Sequence, residues 1–474
     1  MSKLYRQHPI TIITGVFKEL KSYLIPLFIF LVLRSLGEES GTFFDRWFLI
    51  FILVTVGFSL ISGFFKWLFF RFKYSPNAIE IFSGVLIKKH RNIKRDRIHT
   101  MDLEANVVWQ LLDLVSLNIE TPGNLDEAEV KISAIPQGLA NHIRETLNEN
   151  GATVENQAAA SKTIALDAIT LLKAGATSGS VGVVFAVVFA LIGQLLVFIP
   201  ERIFQLIAQF FTQTDVVVIV ILFIVGLVIS WIISVVRYVL RFAYFTLREY
   251  DDYLEIKRGL FVKKQLTIKL SRIQAVTIIE GLIRQPFGYA TIELQVAGGG
   301  GDKGESVVIH PMIKRSQIES FLDTLLPEYA VPKHFHAVPK RALRRYLFRA
   351  SIPVIMLLGL GFIDTRLIAV PLVLGLFFIP LGYLRYHDAG YANQHDGMAL
   401  RFRRVAKTTV MVQRKHLQSY QMITNPFQRL KGLKTLGIWV MASPTPVYFN
   451  VKDLQDSDAK NVYDWLKQTT IKTS

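Results

Sequence analysis

The sequence predicts a membrane α + β protein: six transmembrane helices in three hairpins, each hairpin followed by a small β-barrel with a C-terminal helix. Three observations predict this fold: a high apolar content, long uncharged stretches that come in pairs, and an internal repeat in the β-rich segments. Hydrophobic residues make up 51% of the 474 residues and charged residues only 19%, which is typical of a membrane protein. The sequence contains no cysteine, which excludes disulfides, thiolate catalysis and Cys-ligated metal sites.

Uncharged stretches long enough to cross the hydrocarbon core of a bilayer predict the spanning helices. Two shorter stretches each lie one short loop from a longer partner, and their flanking cations, Arg345 and Arg349 among them, can reach toward lipid headgroups. We interpret both short stretches as spanning; a re-entrant or interfacial segment is the alternative. The six stretches are Ser22–Leu33, Trp47–Phe65, Ala174–Pro200, Val216–Val236, Ala350–Ile363 and Leu367–Leu384.

Charge distribution predicts the orientation. The net charge is +17, and the cations concentrate outside the hairpins, whereas the loops inside the hairpins carry little positive charge. By the positive-inside rule, both termini and all three β-rich modules face the cytoplasm. The first apolar run is followed by no small-x-small cleavage site, so it does not resemble a signal peptide. We therefore expect a multi-pass protein of the inner (cytoplasmic) membrane.

An internal repeat indicates that one module is used three times. The clearest two copies lie 175 positions apart, and a weaker third copy runs through Ala399–Arg403 and His416–Gln418. In the first two copies, Glu80, Gly84, Lys94, Arg97 and Ile98 correspond to Glu255, Gly259, Lys269, Arg272 and Ile273.

Within each module the apolar pattern changes to a period of two, which predicts strands. Glu80–Ile87 and Tyr253–Val262 each predict a strand, a glycine turn and a second strand. Each module then ends in an amphipathic helix, at Pro136–Leu147, Ser316–Leu326 and Ser457–Lys467. Six or seven short antiparallel strands capped by one C-terminal helix are the plan of a pleckstrin-homology (PH) barrel.

These features resemble the bacterial pleckstrin-homology membrane proteins of the YdbS/YdbT type, and the resemblance covers nearly the whole chain. Its fullest motif is Arg272–Val276 followed by Gln285–Ile292; the first and third copies depart from it. The resemblance implies a membrane protein without assigned catalysis and supplies no active-site residues. It also implies a partner, a smaller relative with one hairpin and one module. The expected domains are hairpins at 1–73, 163–247 and 331–390, a linker at 151–162, and PH-like domains at 74–150, 248–330 and 391–474.

Motifs for catalysis or cofactor binding are weak. The run Gly298–Gly304 lacks the Gly-Lys-Ser/Thr helix start of a phosphate-binding loop, so we interpret it as a flexible hairpin tip. His334, His336 and the pair His387–Asp388 have no third metal ligand nearby in sequence, and a surface position is the better interpretation. We therefore predict no enzyme activity, no metal and no cofactor.

Basic clusters follow the membrane segments and have two interpretations. They are either the ordinary positive-inside charge or a surface on each barrel that binds anionic lipid headgroups or a partner. We expect no nucleic acid partner, because the cations lack interleaved aromatics. The favoured function is a non-catalytic scaffold that binds anionic membrane lipids, a partner membrane protein such as the smaller relative, or both; association into a homo-oligomer is left open. The alternative is a transport or envelope-defence component that moves lipid or peptide, which a polar cavity around Gln194 would favour. The candidate binding residues are Lys263, Lys264, Lys269, Arg272, Lys94 and Arg97.

Overall fold

The computed structural model describes residues 4–16, 42–98, 100–120, 129–147, 162–179, 181–196, 202–203, 205–206, 209, 216–297, 306–359, 368–394, 396–442 and 445–467. The predicted helix Ser22–Leu33 and the glycine run Gly298–Gly304 lie outside these residues. The chain divides into two compact units: unit 1 comprises residues 1–250 and 255–267, and unit 2 comprises residues 251–254 and 268–474.

Unit 1 contains two antiparallel sheets, of three strands in the order β1-β2-β3 and of seven strands in the order β6-β5-β4-β10-β9-β8-β7. Strands β4–β6 come from the first module and β8–β10 from the second. The seven-stranded sheet therefore joins the second half of one module to the first half of the next, an arrangement that the sequence patterns do not predict. The strands are β1 Arg71–Ser75, β2 Ala78–Ser83, β3 Lys89–Lys94, β4 Thr100–Ala105, β5 Leu114–Glu120, β6 Glu129–Pro136, β7 Lys162–Ala165, β8 Thr246–Glu249, β9 Tyr253–Arg258 and β10 Lys263–Lys269.

Unit 2 repeats this arrangement with a seven-stranded sheet in the order β13-β12-β11-β17-β16-β15-β14 and a three-stranded sheet in the order β18-β19-β20. Here the second half of the second module pairs with the first half of the third. The strands are β11 Ile273–Glu280, β12 Tyr289–Val296, β13 Val307–Lys314, β14 His336–Ala337, β15 Gly390–Asn393, β16 Gly397–Arg403, β17 Lys407–Gln413, β18 Leu417–Ile423, β19 Leu433–Val440 and β20 Val447–Gln455.

Strand positions confirm the internal repeat. Strand β2 begins at Ala78 and β9 begins 175 positions later, at Tyr253; β16 follows after a further 144, at Gly397. Gly84 and Gly259 adopt φ values of 105° and 104°, a region that side chains with a Cβ rarely enter. A Cβ at either glycine would collide with a backbone carbonyl oxygen three residues later. The repeat therefore preserves a tight turn that only glycine fits.

The amphipathic helix predicted at the end of each module is present, and its bounds lie within a few residues of the prediction. These are α3 (Gln137–Leu147), α7 (Ile318–Leu325) and α11 (Asp456–Lys467), and they pack amphipathic faces onto the sheets, as the buried Ile143 and Leu322 show. The helices are α1 Thr42–Phe69, α2 Val107–Leu111, α3 Gln137–Leu147, α4 Ala168–Ala176, α5 Val181–Leu196, α6 Val216–Phe242, α7 Ile318–Leu325, α8 Leu343–Leu358, α9 Ala369–Asp388, α10 Pro426–Arg429 and α11 Asp456–Lys467.

Each outer module has its own apolar core. In unit 1, Phe72, Ile79 and Leu117 are fully buried between β1–β3, β4–β6 and α3. In unit 2, the core of the third module includes the fully buried Leu436 and Ile438. An outer module thus packs the faces of its own two half-sheets together, while one of those half-sheets continues by hydrogen bonding into the middle module.

Two helices among the described residues are long and apolar enough to cross a membrane, at Ile52–Phe69 of α1 and Val220–Phe242 of α6. Their side chains are mostly exposed although they are apolar; Leu53 is 74% and Phe58 63% exposed. In water such a surface would be unstable, whereas lipid tails solvate it.

The predicted stretch Ala174–Pro200 differs in detail from the structure. Helix α4 ends at Ala176, and a separate helix α5 begins at Val181. The break follows Gly175, where an added Cβ would lie 3.2 Å from the backbone oxygen of Val235 on α6. Helices α5 and α6 then lie side by side, with the Phe185 and Phe223 rings 5.3 Å apart.

Candidate membrane-contact turns and sheet junctions

The glycine turn of the second module lies at the C-terminal end of α6. The backbone N–H of Gly259 donates to the carbonyl of Ala243 at 2.8 Å, and the N–H of Leu260 donates to that of Leu240 at 3.0 Å. These bonds satisfy carbonyl groups that a helix end leaves without partners. The turn is therefore fixed at the end of an apolar helix.

This turn presents apolar side chains to the outside. Leu260, Phe261 and Val262 are 37%, 54% and 42% exposed, and the exposed Lys263 follows them. The sequence pattern predicted that these residues, and Val85–Ile87 in the first module, lie on a second strand. That prediction was wrong, because the strands begin only at Lys263 and Lys89. In the first module, Leu86 is 95% and Ile87 is 74% exposed.

A second exposed apolar segment of unit 1, at helix α2, lies beside the glycine turn of the second module. Gln110 on α2 donates through Nε2 to the carbonyls of Leu260 and Phe261, at 3.3 and 3.0 Å. Asn106 fixes the start of α2 by accepting the N–H of Trp109 at 2.9 Å. We call the exposed apolar residues of these two segments the apolar turns of unit 1: they are Val107, Val108, Leu111, Leu112, Leu260, Phe261 and Val262.

Unit 2 contains turns of the same type. Gln285, which corresponds to Gln110 in the repeat, accepts from Nη2 of Arg403 at 2.5 Å. Nearby in sequence, Phe287 is 68% exposed, and on α10 Phe427 is 72% exposed. Exposed apolar side chains thus recur on the short helix between the half-sheets of each module.

The candidate cations from the sequence fall into different environments. Lys94, Arg97 and Lys263 are exposed. Lys264 instead pairs with Glu104 on the neighbouring strand β4, with Nζ and Oε1 3.5 Å apart. The sequence alone suggests a surface position for Lys264, because the sheet pairing between modules is not visible from it.

In unit 2, Lys269 precedes the short 3-10 helix Leu270–Arg272, which Arg272 ends, and both side chains are half-buried. Their counterparts in the third module are the neutral or weakly basic Gln413 and His416. Gln413 donates to Oε2 of Glu328 at 2.6 Å, and His416 lies 3.2 Å from the Tyr329 hydroxyl. The cationic pair at this position is therefore not repeated in the third module.

Two carboxyl groups with opposite ionisation behaviour lie at the junction in unit 1, where β4 pairs with β10. Burial raises the pKa of Asp102 to about 7, although its carboxylate accepts the N–H of Thr267 across the junction at 3.2 Å and lies near Lys264. Burial also opposes ionisation of Glu104, but Lys131 and Lys264 outweigh it and lower the pKa of that carboxyl. The junction thus contains one readily ionised carboxylate and one that resists ionisation.

The junction in unit 2 is held by a buried ion pair. Glu280 and Lys407 are paired directly across β11 and β17, and Oε1 and Nζ lie 2.8 Å apart with both side chains under 10% exposed. Removing either partner of such a pair is strongly destabilising, because the remaining charge is then buried without compensation.

Helix α8 is anchored to the third module through a buried carboxylate. Arg345 and Arg349 contact the two oxygens of Asp453, at 2.9 and 2.5 Å, and Asp453 is fully buried. Gln428 also donates to Asp453, at 2.8 Å. The two arginines that were expected to reach lipid headgroups therefore bind protein.

The sequence offered histidines as candidate metal ligands and Gln194 as the centre of a polar transport cavity. Among the described residues, no group of three His, Asp or Glu side chains could hold a metal ion. His336 stacks on Tyr391, with ring centres 5.1 Å apart. Gln194 lies on α5, and its side chain is outside the described part of the chain.

Comparison with known proteins identifies the class defined by these modules. The family model described as "Bacterial PH domain" matches residues 23–151, 181–329 and 351–470. The chain belongs to the bacterial PH domain family. It is 30% identical to the UPF0699 transmembrane protein YdbT of Bacillus subtilis (strain 168), over an alignment that covers 98% of each chain. No solved structure matches the chain.

Proposed function

We propose that the chain is a non-catalytic scaffold of the inner membrane, in which six helices in three hairpins hold three PH-like modules at the cytoplasmic face. The proposal further assigns the apolar turns a place in the headgroup region of the bilayer, where the flanking cations bind anionic lipid. The observation that carries it is the glycine turn of the second module, which combines exposed apolar tips with Lys263 at the end of an apolar helix.

The physical argument starts from the position of that turn. A segment with apolar side chains next to cations favours the boundary between headgroups and acyl chains. There the apolar side chains lose contact with water and the cations meet anionic phosphates. Each suitably placed Lys or Arg contributes about 1 kcal/mol near an anionic surface. Phe261 and Lys263 are two residues apart, so Phe261 can contact the acyl chains while Lys263 contacts a phosphate.

Orientation follows the same logic. Helix α6 carries Arg241 in its last turn and α1 carries Lys66 in its last turn, both just before the β-strands that follow. Positively charged flanks remain on the cytoplasmic side during insertion. The PH-like modules accordingly belong to the cytoplasm, and reporter fusions after Lys467 and within residues 204–215 should give opposite signals.

The insertion of the turn can be tested with a single fluorescent probe, since the natural chain contains no cysteine. An environment-sensitive probe on Phe261→Cys, in vesicles with about 30% anionic lipid, should be blue-shifted and quenched by lipids that carry a quencher at the interface. The matched control is Glu145→Cys, on the exposed face of α3, which should report water.

The charge contribution is tested in the same vesicles. Adding Lys263→Glu to the labelled chain should reduce the quenching in anionic vesicles but leave it unchanged in neutral ones. A probe at position 261 that is as water-exposed as one at position 145 would contradict the proposal.

A further inference from the structure

The two three-stranded sheets each leave one strand at an outer edge. In unit 1, β3 ends the order β1-β2-β3, and in unit 2, β18 begins the order β18-β19-β20. No strand among the described residues pairs with the outer edge of either. Unpaired edges expose backbone N–H and C=O groups that can accept another strand.

Each edge strand has counterparts inside the chain that are paired. Strand β3 corresponds in the repeat to β10 and β17, and β18 corresponds to β4 and β11. Within unit 1, β4 pairs with β10, and within unit 2, β11 pairs with β17. The two outer edges are therefore the two complementary halves of a junction that the chain forms twice.

Burial shows what the edge strands lack. Six of the eight residues of β11 are buried, but none of the seven residues of its counterpart β18 is. Among β3 and its counterparts, six of the seven residues of β17 and two of the seven residues of β10 are buried, but only one of the six residues of β3. A neighbouring strand and its module would cover both surfaces.

We propose that β3 of one copy of this chain pairs with β18 of a second copy, so that copies associate head to tail in the membrane. Both internal junctions predict the same register when shifted along the repeat. The pairs Lys264 with Glu104 and Lys263 with Ala105 become Lys89 with Ile423 and Lys88 with Thr424. The pair Ala275 with Val412 becomes Ser419 with Ile93, which is the same register.

Charge favours unlike edges over like edges. Strand β3 and the residue before it carry Lys88, Lys89, His90, Arg91 and Lys94, so that two copies of β3 would repel each other. Lysines at this place do not prevent pairing, because β10 and β17 also begin with lysine and are paired. Strand β18 carries no charged residue and no proline, and natural edge strands usually have such protection.

One difference makes the junction between copies weaker than the internal ones. In both internal junctions a carboxylate faces the lysines, Glu104 in the first and Glu280 in the second. The equivalent positions at β18 are Ile423 and Thr424. The contact between copies therefore lacks the ion pair and should be reversible.

Disulfide crosslinking of the full chain in membranes tests the pairing. Chains carrying Lys89→Cys and chains carrying Ile423→Cys, with tags of different size, are coexpressed and oxidised. Directly opposed residues on antiparallel strands have Cβ atoms close enough for a disulfide after a small adjustment. A mixed dimer should form at least about tenfold more than with the control pair Lys89→Cys and Gln418→Cys, which uses an exposed residue of the same strand out of register.

Substitutions at Thr424 add a readout that a chance collision would not produce. Thr424→Glu restores the missing carboxylate opposite Lys88 and should raise the crosslinked fraction several-fold, whereas Thr424→Lys should lower it. The proposal would be overturned if no mixed dimer formed, or if each single cysteine variant crosslinked equally well with itself. It would also be overturned if a chain carrying both Lys89→Cys and Ile423→Cys formed the disulfide within itself. Because the measurement reports strand pairing alone, it can fail or succeed independently of lipid binding by the turns.

Discussion

Asp102 gives the junction in unit 1 a pH dependence whose size can be estimated. Burial raises its pKa from 3.8 to about 7, so the folded junction retains a proton that the unfolded chain has lost. Stability contributed by the protonated carboxyl is therefore full below about pH 4 and is lost as the pH rises to about 7. The whole shift corresponds to about 4 kcal/mol, at about 1.4 kcal/mol per pKa unit.

The substitution Asp102→Asn removes this loss and keeps the acceptor for the Thr267 N–H. Relative to the natural chain, the variant should gain roughly 1–2 kcal/mol of local stability at about pH 5 and about 4 kcal/mol at about pH 8. Hydrogen exchange of β4 and β10 in detergent micelles measures this local free energy, with both proteins compared at the same pH.

The protection gained by the variant should thus grow by about one to two orders of magnitude between the two pH values. Asp96→Asn, at an exposed carboxyl before β4, is the matched control and should show no such growth. If the gain from Asp102→Asn is the same at both pH values, the buried carboxyl does not have the pKa on which this reasoning rests.

Three further substitutions probe the turns and the buried charges. Gly259→Ala forces a Cβ into the carbonyl of Val262 at a φ of 104°, so it should cost about 1–3 kcal/mol of stability. The turn should then become a site of protease cleavage. The control Gly281→Ala, with open space around the added Cβ, should have neither effect. Glu280→Gln should destabilise the β11–β17 junction by about 3–5 kcal/mol, and adding Lys407→Met should recover much of that loss, as hydrogen exchange of β17 would show. Asp453→Asn leaves two arginines without a carboxylate and should loosen α8 by a similar amount, seen as faster exchange in residues 343–349; unchanged exchange would contradict it.

Features that depend on local sequence were predictable. The glycine turns, the closing helices and the repeat of 175 positions each rest on a few adjacent residues or on comparison of one segment with another, and the structure confirms them. The helical stretches within Trp47–Phe65 and Val216–Val236 were also predictable, because a continuous apolar surface has no stable alternative to helix in lipid.

The sheet pairing between modules was not predictable from the same patterns. A strand with period-two alternation shows which face is buried, but it does not identify its neighbour. Lys264 illustrates the consequence: as part of a basic run it resembles a lipid-binding group, and only its position opposite Glu104 shows that it holds two strands together. Similarly, Arg345 and Arg349 have the spacing of headgroup anchors, but a carboxylate roughly a hundred positions later binds both.

The apolar turns were mistaken for strands for a related reason. Leu86 and Phe261 lie in three-residue apolar runs after a glycine, and in a soluble protein such a run is best buried in a sheet. In the proposed placement of the turn at the bilayer the rule reverses, because lipid is then a second apolar environment in which an exposed turn is stable. A lysine pair follows each run, Lys88 and Lys89 in the first module and Lys263 and Lys264 in the second, and this pair is the signal that distinguishes the two cases. The lysines give the apolar run the basic flank that is typical of an interfacial segment. In the second module, the same lysines begin β10, the strand through which the second module pairs with the first.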